Sequence, residues 1–506
     1  MKFKLLLLSN FLLLTVSAQQ IQLETNKKQA LLFGSTISQY DLNNHLTIYA
    51  SDEFEGRETG EEGQKKAVQY LRSQYMRMGI EAAQQSGDYF QKFSLTIKKV
   101  PSGTLTVGGT SYENGDDFMG FSGVNASDSH IVYVGYGIDT LSHSDYDGLD
   151  VEGEIVVIRA GEPEGQTTDW GRMSEGIELK QKAALKHGAK AVIYIDQAYF
   201  ERMKRRFDYM KKNDSGRMSI DALASKTIPT VYGNDDLAAT LLADVDNNKK
   251  QSIKRKVSIN LQSKDSKVET ENVVAYIEGS ELPEEYIVIS SHLDHVGVND
   301  KGEIFNGADD DGSGTVALLE VAEAFKKAAD KGNGPKRSVV FLHVTGEEKG
   351  LLGSRYYTDV DPVFSLDKTI ANLNIDMVGR IDPKREGNRD YVYLIGSDKL
   401  SLELHQISEL VNDEYMDIEL DYTYNDENDP NRFYYRSDHY NFAKNNIPII
   451  FYFNGTHDDY HRASDTVDKI NFDLLENRTR LVFYTAWEIA NRNKAITVDR
   501  ISESIE

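Results

Sequence analysis

Imidazoles and carboxylates gather in five short stretches of the chain. Ser291-His292-Leu293-Asp294-His295 comes first, then Asn306-Gly307-Ala308-Asp309-Asp310-Asp311-Gly312-Ser313-Gly314. Thr345-Gly346-Glu347-Glu348, Asp376 and Asp458-Asp459-Tyr460-His461 follow. There is no cysteine, so thiol nucleophiles, disulfides and Cys-ligated zinc are excluded. Any metal site must be built from His, Asp and Glu. So many acids brought to one place repel one another, and bound divalent cations relieve that repulsion. Taken singly, each stretch has an ordinary reading. Glu347-Glu348 reads as a solvated loop pair, and Asp309-Asp310-Asp311 as a charged cap favoured by a helix dipole. His295, His343 and His439 read as structural histidines. The ordered combination is what points to a metal centre.

The elements that must position these residues follow from periodicity. After Thr270 short apolar runs alternate with amphipathic stretches. Strands are expected over Tyr286–Ser290, Ser338–Val344, Ile370–Ile375, Tyr391–Ile395 and Ile447–Phe453, and helices over Gly314–Ala329, Leu400–Asn412 and Phe472–Arg492. Several strands are nearly continuous apolar runs, as in sheets covered by helices on both faces. The polar stretches all fall where strands end, which is where open α/β sheets form their ligand crevice. Upstream, Leu42, Leu46, Tyr49 and Ala50 mark one helix, Gly56, Gly60 and Gly63 a loop, and Ala67, Tyr70, Leu71, Tyr75 and Met78 a second helix ending before Gly79. From about Val100 to Leu261 the texture changes to short strands with one helix, Ile177 to His187, closed by Gly188.

Composition narrows the function. The chain has 506 residues, with 57 Lys+Arg against 81 Asp+Glu, a net charge of −24. That balance argues against a nucleic-acid binder or a polybasic membrane-surface protein, both of which need positive charge. Met1 to Ala18 reads as a secretory signal peptide: Lys2 and Lys4, an apolar run from Leu5 to Val16, and the small residues Val16-Ser17-Ala18 before Gln19. The run falls short of the roughly 20 apolar residues a membrane span requires. An exported protein, periplasmic or extracellular, with no integral membrane span is expected after cleavage near Ala18.

The order H-x-D-H, G-A-D-D-D-G-S-G, G-E-E, D, Y-H resembles the M28 family of zinc-dependent exopeptidases, which includes leucyl aminopeptidases and glutamate carboxypeptidases. The resemblance covers 270–500 and the E-G-R-E-T-G-E-E-G segment within 45–80. Residues 98–262 resemble a protease-associated domain inserted into the catalytic fold, through V-G-Y-G, G-E-I-V-V-I-R-A-G and the helix before A-V-I-Y-I. The implied organisation is a signal peptide at 1–18, peptidase segments at 19–97 and 263–506, and the insert at 98–262. The implied fold is α/β, a mixed and mostly parallel central sheet flanked by helices, with a smaller α/β insert.

The resemblance also implies roles. Two zinc ions per chain are expected, one held by His292 and Asp376 and the other by Glu348 and His461, with Asp310 bridging them. Glu347 matches the general base and Asp294 the carboxylate that orients His292. The family's cis peptide falls at Asp310-Asp311. Tyr434 and Tyr460 are rival candidates for steadying the oxyanion of the transition state. The chemistry of the residues agrees, because paired zinc ions suit hydrolysis of a peptide substrate and a carboxylate beside a ligand suits proton transfer. An acid-rich pocket suits a substrate's free ammonium group, which favours an aminopeptidase. Arg355, Arg380, Arg432 and Arg436 keep a carboxypeptidase in view. A glutaminyl cyclase-like enzyme with a single zinc and a non-catalytic binding protein of the same fold are the remaining alternatives.

Overall fold

In the computed structural model, residues 21–84, 86–223, 227–243 and 249–500 are described. The signal peptide expected at 1–18 lies outside them. The chain divides into two compact units. One takes in the chain up to Gln91 and from Glu271 on; the other is Lys92–Thr270. No helix among the described residues is long and apolar enough to cross a membrane.

The first unit is built on a mixed sheet. Its strands, numbered along the chain, are β1 (Ser266–Ile277), β2 (Leu282–His292), β3 (Arg337–Val344), β4 (Thr369–Ile375), β5 (Tyr391–Ile395), β6 (Glu419–Asp421) and β7 (Ile449–Phe453). They lie in the order β1-β3-β2-β4-β7-β5-β6. The neighbours β3, β2, β4 and β7 run parallel, β1 runs antiparallel to β3, and β5 runs antiparallel to β7. The helices are α1 (Lys27–Gly34), α2 (Gln39–Tyr49), α3 (Glu62–Met78), α4 (Gly314–Asp330), α5 (Leu352–Asp359), α6 (Leu402–Tyr415), α7 (His439–Ala443) and α8 (Phe472–Asn491).

Alternation along each strand divides the core. Val273, Ala275, Ile287, Ile289, Val339, Phe341, Ala371, Leu373 and Ile450 face one way, toward α1–α4, α6 and α8. Val274, Val288, Val340, Leu342 and Ile449 face the other, toward Tyr357 of α5 and Phe442 of α7. Both faces are thus covered, which is why β3 is buried at every position. Helix α4 approaches the sheet through small residues, Ala317, Ala322, Ala324 and Ala328, all fully buried. Helix α3 ends on Gly79 at φ +69°, a left-handed cap. The expected glycine loop before α3 stops short of Gly63. That residue lies inside the helix, where a Cβ would come within 2.0 Å of the Phe54 carbonyl oxygen.

The second unit has its own two sheets. One contains Ile131–Tyr133, Ile155–Arg159, Ala191–Ile195 and Thr230–Gly233 as parallel neighbours. Short antiparallel strands, Gln251–Ile253 and Phe118–Gly120, close its two ends. The other is antiparallel, ordered Thr110–Glu113, Ser102–Val107, Val257–Gln262, Val124–Asp128. Helix Met173–Lys186 begins four residues before the expected Ile177.

One buried acid stands apart from the clusters described below. Glu320 of α4 is 1% exposed, and its carboxyl oxygens make no hydrogen bond. The nearest imidazole nitrogen, His45 Nε2, is 3.7 Å away. Burial, with Glu323 and Asp41 nearby, lifts the Glu320 pKa to about 8. Burial holds His45 below its ordinary value, so it supplies no counter-charge. A carboxyl raised in the folded state stabilises the fold fully below its unfolded pKa of about 4.5, and that contribution is lost as pH rises toward 8. Thermal melts from pH 5 to 8 should therefore show Glu320→Gln gaining on the parent protein, by on the order of 3 kcal/mol at pH 7. Parallel pH profiles for the two proteins would refute this account.

Candidate metal centre

Three parallel strands end side by side at the centre. His292 closes β2, Asp376 follows β4, and Glu347 and Glu348 follow β3 after Gly346, which turns the chain at φ +71°. Asp310 sits in the wide helical turn Ala308–Ser313 that leads into α4, with a cis peptide to Asp311. His461 lies on the loop after β7 at φ +52°, a backbone conformation that costs energy for a residue with a Cβ.

The structure brings His292, Asp310, Glu348, Asp376 and His461 together. His292 Nε2 is 3.2 Å from Asp310 Oδ1 and 3.6 Å from Asp376 Oδ1. His461 Nε2 is 3.0 Å from Asp310 Oδ2 and 3.1 Å from Glu348 Oε2. Asp310 thus turns one carboxylate oxygen to each of two adjacent positions. Two donor groups there could each hold a metal ion: His292, Asp310 and Asp376, and His295, Asp310 and Glu348. Glu348 Oε1 and Asp310 Oδ2 are buried without a hydrogen-bond partner. The oxygen and nitrogen donors and these unsatisfied atoms suit zinc.

His295 differs from its sequence reading. It is fully buried, with Nδ1 2.8 Å from Glu348 Oε1 and 3.7 Å from Asp310 Oδ2. His343 and His439 do behave as structural histidines. His343 bonds Tyr75 Oη and Ser291 Oγ, and His439 bonds the Tyr434 carbonyl while stacking on Phe451.

Proton affinities carry the same signature. Burial alone would lower His292, but Asp376, Asp311 and Asp310 raise it well above an ordinary imidazole. Against the same effect of burial, Asp310 and Glu348 push His461 up to about 10. Burial and the Asp310 charge work to raise Glu348, yet His295 and His461 bring it down to about 2. Asp310 falls well below the carboxylate range, where His295, His292 and His461 outweigh burial. The carboxylates favour the protonated forms of His292 and His461 as they would favour a bound cation.

Outer residues fix these groups through the backbone. Asp311 Oδ2 accepts the His292 N–H at 3.1 Å, and its Oδ1 accepts those of Gly314 and Met377, both at 3.0 Å. Asp465 Oδ2 accepts the N–H groups of Asp309 and Asp310 at 3.0 and 3.2 Å. Ser437 Oγ donates to Asp376 Oδ2 at 2.6 Å. Arg57 is fully buried at φ +53° and donates to the carbonyls of Leu293, Tyr49, Asn306 and Gly307, at 2.7–3.2 Å. It thereby clamps the loop after β2 to the loop before Asp310. Arg57 lies in the E-G-R-E-T-G-E-E-G segment that the sequence marks, without a signal for these contacts. Nothing in the sequence marks Asp465.

The role expected of Asp294 needs correction. The Nδ1 of His292 is 3.1 Å from the backbone oxygen of Asp294, which takes its hydrogen bond, whereas the nearest carboxylate oxygen is 3.9 Å away. The Asp294 carboxylate instead accepts the Glu347 N–H at 3.2 Å and the Thr59 hydroxyl at 2.8 Å. It holds the strand end that carries Glu347.

A cavity opens beside the centre. Asp310, Glu347 and Asp376 line its polar side, Met377, Phe433, Phe451 and Phe453 its apolar side, and Arg436, Thr456 and Tyr460 complete it. Burial lifts the Glu347 carboxyl well above the usual carboxylate range, helped by Glu348 and Asp376. Glu347 and Glu348, adjacent in sequence, therefore serve different spaces: one faces the cavity, the other the imidazoles. Tyr460 stacks on His461 at 3.9 Å between ring centres, and burial raises its phenol. Tyr434 packs among Tyr435, His439 and Tyr440 and is not among the residues lining the cavity. Of the arginines, Arg380 pairs with Asp459 at 3.0 Å, Arg355 with Asp359 at 3.5 Å, and Arg432 lies over the Tyr435 ring. Arg436 alone of these four lines the cavity.

Comparison with known proteins places this geometry. Residues 272–486 match the family model described as Peptidase family M28. A probable aminopeptidase of Saccharomyces cerevisiae is 28% identical over 229 residues, 44% of this chain and 57% of the yeast protein. A probable leucine aminopeptidase 2 of Aspergillus oryzae is 27% identical over 278 residues, 49% of this chain and 51% of its own length. The chain thus spans about half the length of these curated relatives. Among solved structures, an aminopeptidase from Aneurinibacillus sp. strain AM-1 superposes with a TM-score of 0.51 at 21% identity, covering 93% of this chain and 98% of its own, which shows a shared fold. The matched stretch contains His292, Asp310, Glu347, Glu348, Asp376 and His461, so the chain is similar to peptidase family M28 over the segments that build the centre.

Proposed function

We propose that this chain is a zinc-dependent aminopeptidase that removes N-terminal residues from peptides at a two-ion centre. The observation that carries the reading is Asp310. Its two carboxylate oxygens face two separate imidazole–carboxylate groups, beside a cavity into which Glu347 projects. His292, Asp310 and Asp376 would hold one ion, and Asp310, Glu348 and His461 the other. Zinc bound there supplies polarisation of the scissile carbonyl and a water acidic enough to attack near neutral pH.

The chain's own residues do the rest. Glu347 takes the proton from the attacking water and delivers it to the leaving amine; burial, which raises its proton affinity, makes it a stronger base than an exposed carboxylate. Asp294 holds the backbone N–H of Glu347 and so fixes the base. Tyr460 is the oxyanion donor we favour over Tyr434, because it lines the cavity and its phenol stays protonated. The substrate's free ammonium group pairs with the acids on the polar side, while Phe433, Phe451, Phe453 and Met377 accept an apolar first side chain. Arg436 supports a second reading, in which its guanidinium anchors a substrate carboxylate and the enzyme is a carboxypeptidase. Export after cleavage near Ala18 rests on the amino-terminal sequence.

Three outcomes test the proposal. Purified protein should carry two zinc ions per chain by elemental analysis and lose activity to a chelator; full activity in a metal-free preparation would refute the metal mechanism. Peptides with an acetylated N-terminus should resist cleavage, while those with an amidated C-terminus are cut; the reverse preference assigns Arg436 its carboxylate and the carboxypeptidase reading. Glu347→Gln should keep both zinc ions and lose about 10²–10⁴-fold in turnover, the range for one general base. Glu348→Gln should lose metal instead. Near-native turnover in Glu347→Gln would eliminate the proposed base.

A further inference from the structure

His295 is a buried imidazole with an unexplained environment. The two structural histidines each bond through the ring: His343 uses both nitrogens, on Tyr75 and Ser291, and His439 uses Nε2 on the Tyr434 carbonyl. Neither ring nitrogen of His295 has a hydrogen-bond partner, although the side chain is fully buried. Leaving such groups unpaired is costly. Nδ1 nevertheless lies 2.8 Å from Glu348 Oε1, and that oxygen also lacks a hydrogen-bond partner. A nitrogen and an oxygen this close attract only when the ring carries a proton between them or when both lone pairs converge on a cation. Asp310 Oδ2, 3.7 Å from the same nitrogen, is the third unsatisfied atom of the group.

The ring is held in place by the backbone. Gly307 packs on it so closely that a Cβ would fall 2.5 Å from Cδ2 and 2.6 Å from Cγ. The His295 N–H donates to the Arg57 carbonyl at 3.3 Å. His461 meets the ring edge-on, at 5.7 Å between ring centres. The two imidazoles stand 2.8–3.7 Å from the oxygens of Asp310 and Glu348. That range brackets the separation of about 3.3 Å between tetrahedral neighbours when nitrogen and oxygen ligands lie about 2.0–2.1 Å from zinc.

We propose that His295 is itself a ligand, supplying Nδ1 to the metal position formed by Asp310, Glu348 and His461. This rests on the two-ion reading above and adds an asymmetry to it. The second position then has four protein ligands and is closed, whereas the position of His292, Asp310 and Asp376 has three and stays open. Closed four-ligand sites retain zinc, and open ones leave room for water or substrate. The position containing His295 is thus expected to hold its ion more tightly, and the other to exchange first.

The test is zinc titration of the full chain against a competing chelator, for the parent protein and for His295→Gln, with near-ultraviolet circular dichroism of the metal-free proteins as the fold control. The parent should bind two ions in two affinity classes. His295→Gln should keep the weaker class and lose more than about 100-fold in the tighter one, beyond the 10–100-fold cost of losing an outer-shell partner. X-ray absorption of the two-zinc parent gives a reading that needs no variant: three imidazoles for two zinc ions, where the ligand set without His295 gives two. Unchanged affinities in a folded variant, or two imidazoles, would overturn the proposal while leaving the two-ion reading intact. A parent that binds a single ion would overturn both.

Discussion

Everything at the centre depends on one electrostatic constraint, the confinement of like-charged carboxylates at the ends of three parallel strands. Asp294, Asp310, Asp311 and Asp376 are buried together, with Glu347 and Glu348 beside them. At these separations, in a medium of low dielectric constant, they would drive one another apart or take up protons. Three arrangements counter this. Backbone N–H groups are aimed at Asp311, Asp465 and Asp294. Imidazoles separate the remaining acids. Asp310 turns one oxygen to His292 and the other to His461, so that one carboxylate answers two imidazoles.

The cost of this arrangement is met by the scaffold. Arg57 makes its bonds to backbone carbonyls, which it reaches because it sits buried at a left-handed backbone position. Its rigid planar fork of donors suits several carbonyls at once, and a lysine could not span them. The β3 end turns at Gly346, and the chain then presents Glu347 and Glu348 to different spaces. The two carboxyl groups, sequence neighbours, therefore do not compete for one partner: Glu347 lines the cavity and Glu348 meets His295 and His461.

Much of this was legible in the sequence. Four apolar strands of the first unit fall within two residues of their expected bounds, because a strand buried on both faces must be nearly continuous in apolar residues, and that pattern is local. Strand β2 instead starts at Leu282, four residues before the expected Tyr286, through a polar and less buried stretch. The five candidate ligands stand out because the combination is ordered along the chain; His292, Glu348 and Asp376 fall at strand ends, whereas Asp310 lies in the turn before α4 and His461 on the loop after β7. Helix Phe472–Asn491 is likewise visible as a long apolar periodicity.

What the sequence left open is whatever depends on direction and distance between segments far apart in the chain. Residue order alone marks Asp294 as a partner of His292, but only the fold shows that its backbone oxygen takes the imidazole and its carboxylate takes Glu347. Tyr434 and Tyr460 are equal candidates on paper, and packing puts just one at the cavity. His295 reads as structural because a lone histidine carries no local signal of its surroundings. Asp465, invisible in the sequence, grips the Asp309 and Asp310 amides from more than 150 residues away. The chain by itself determined which groups are available and which strands carry them. The tertiary structure decided which atoms meet, because a hydrogen bond or a metal ligand is set within a few tenths of an ångström, a scale that residue identity and spacing do not encode.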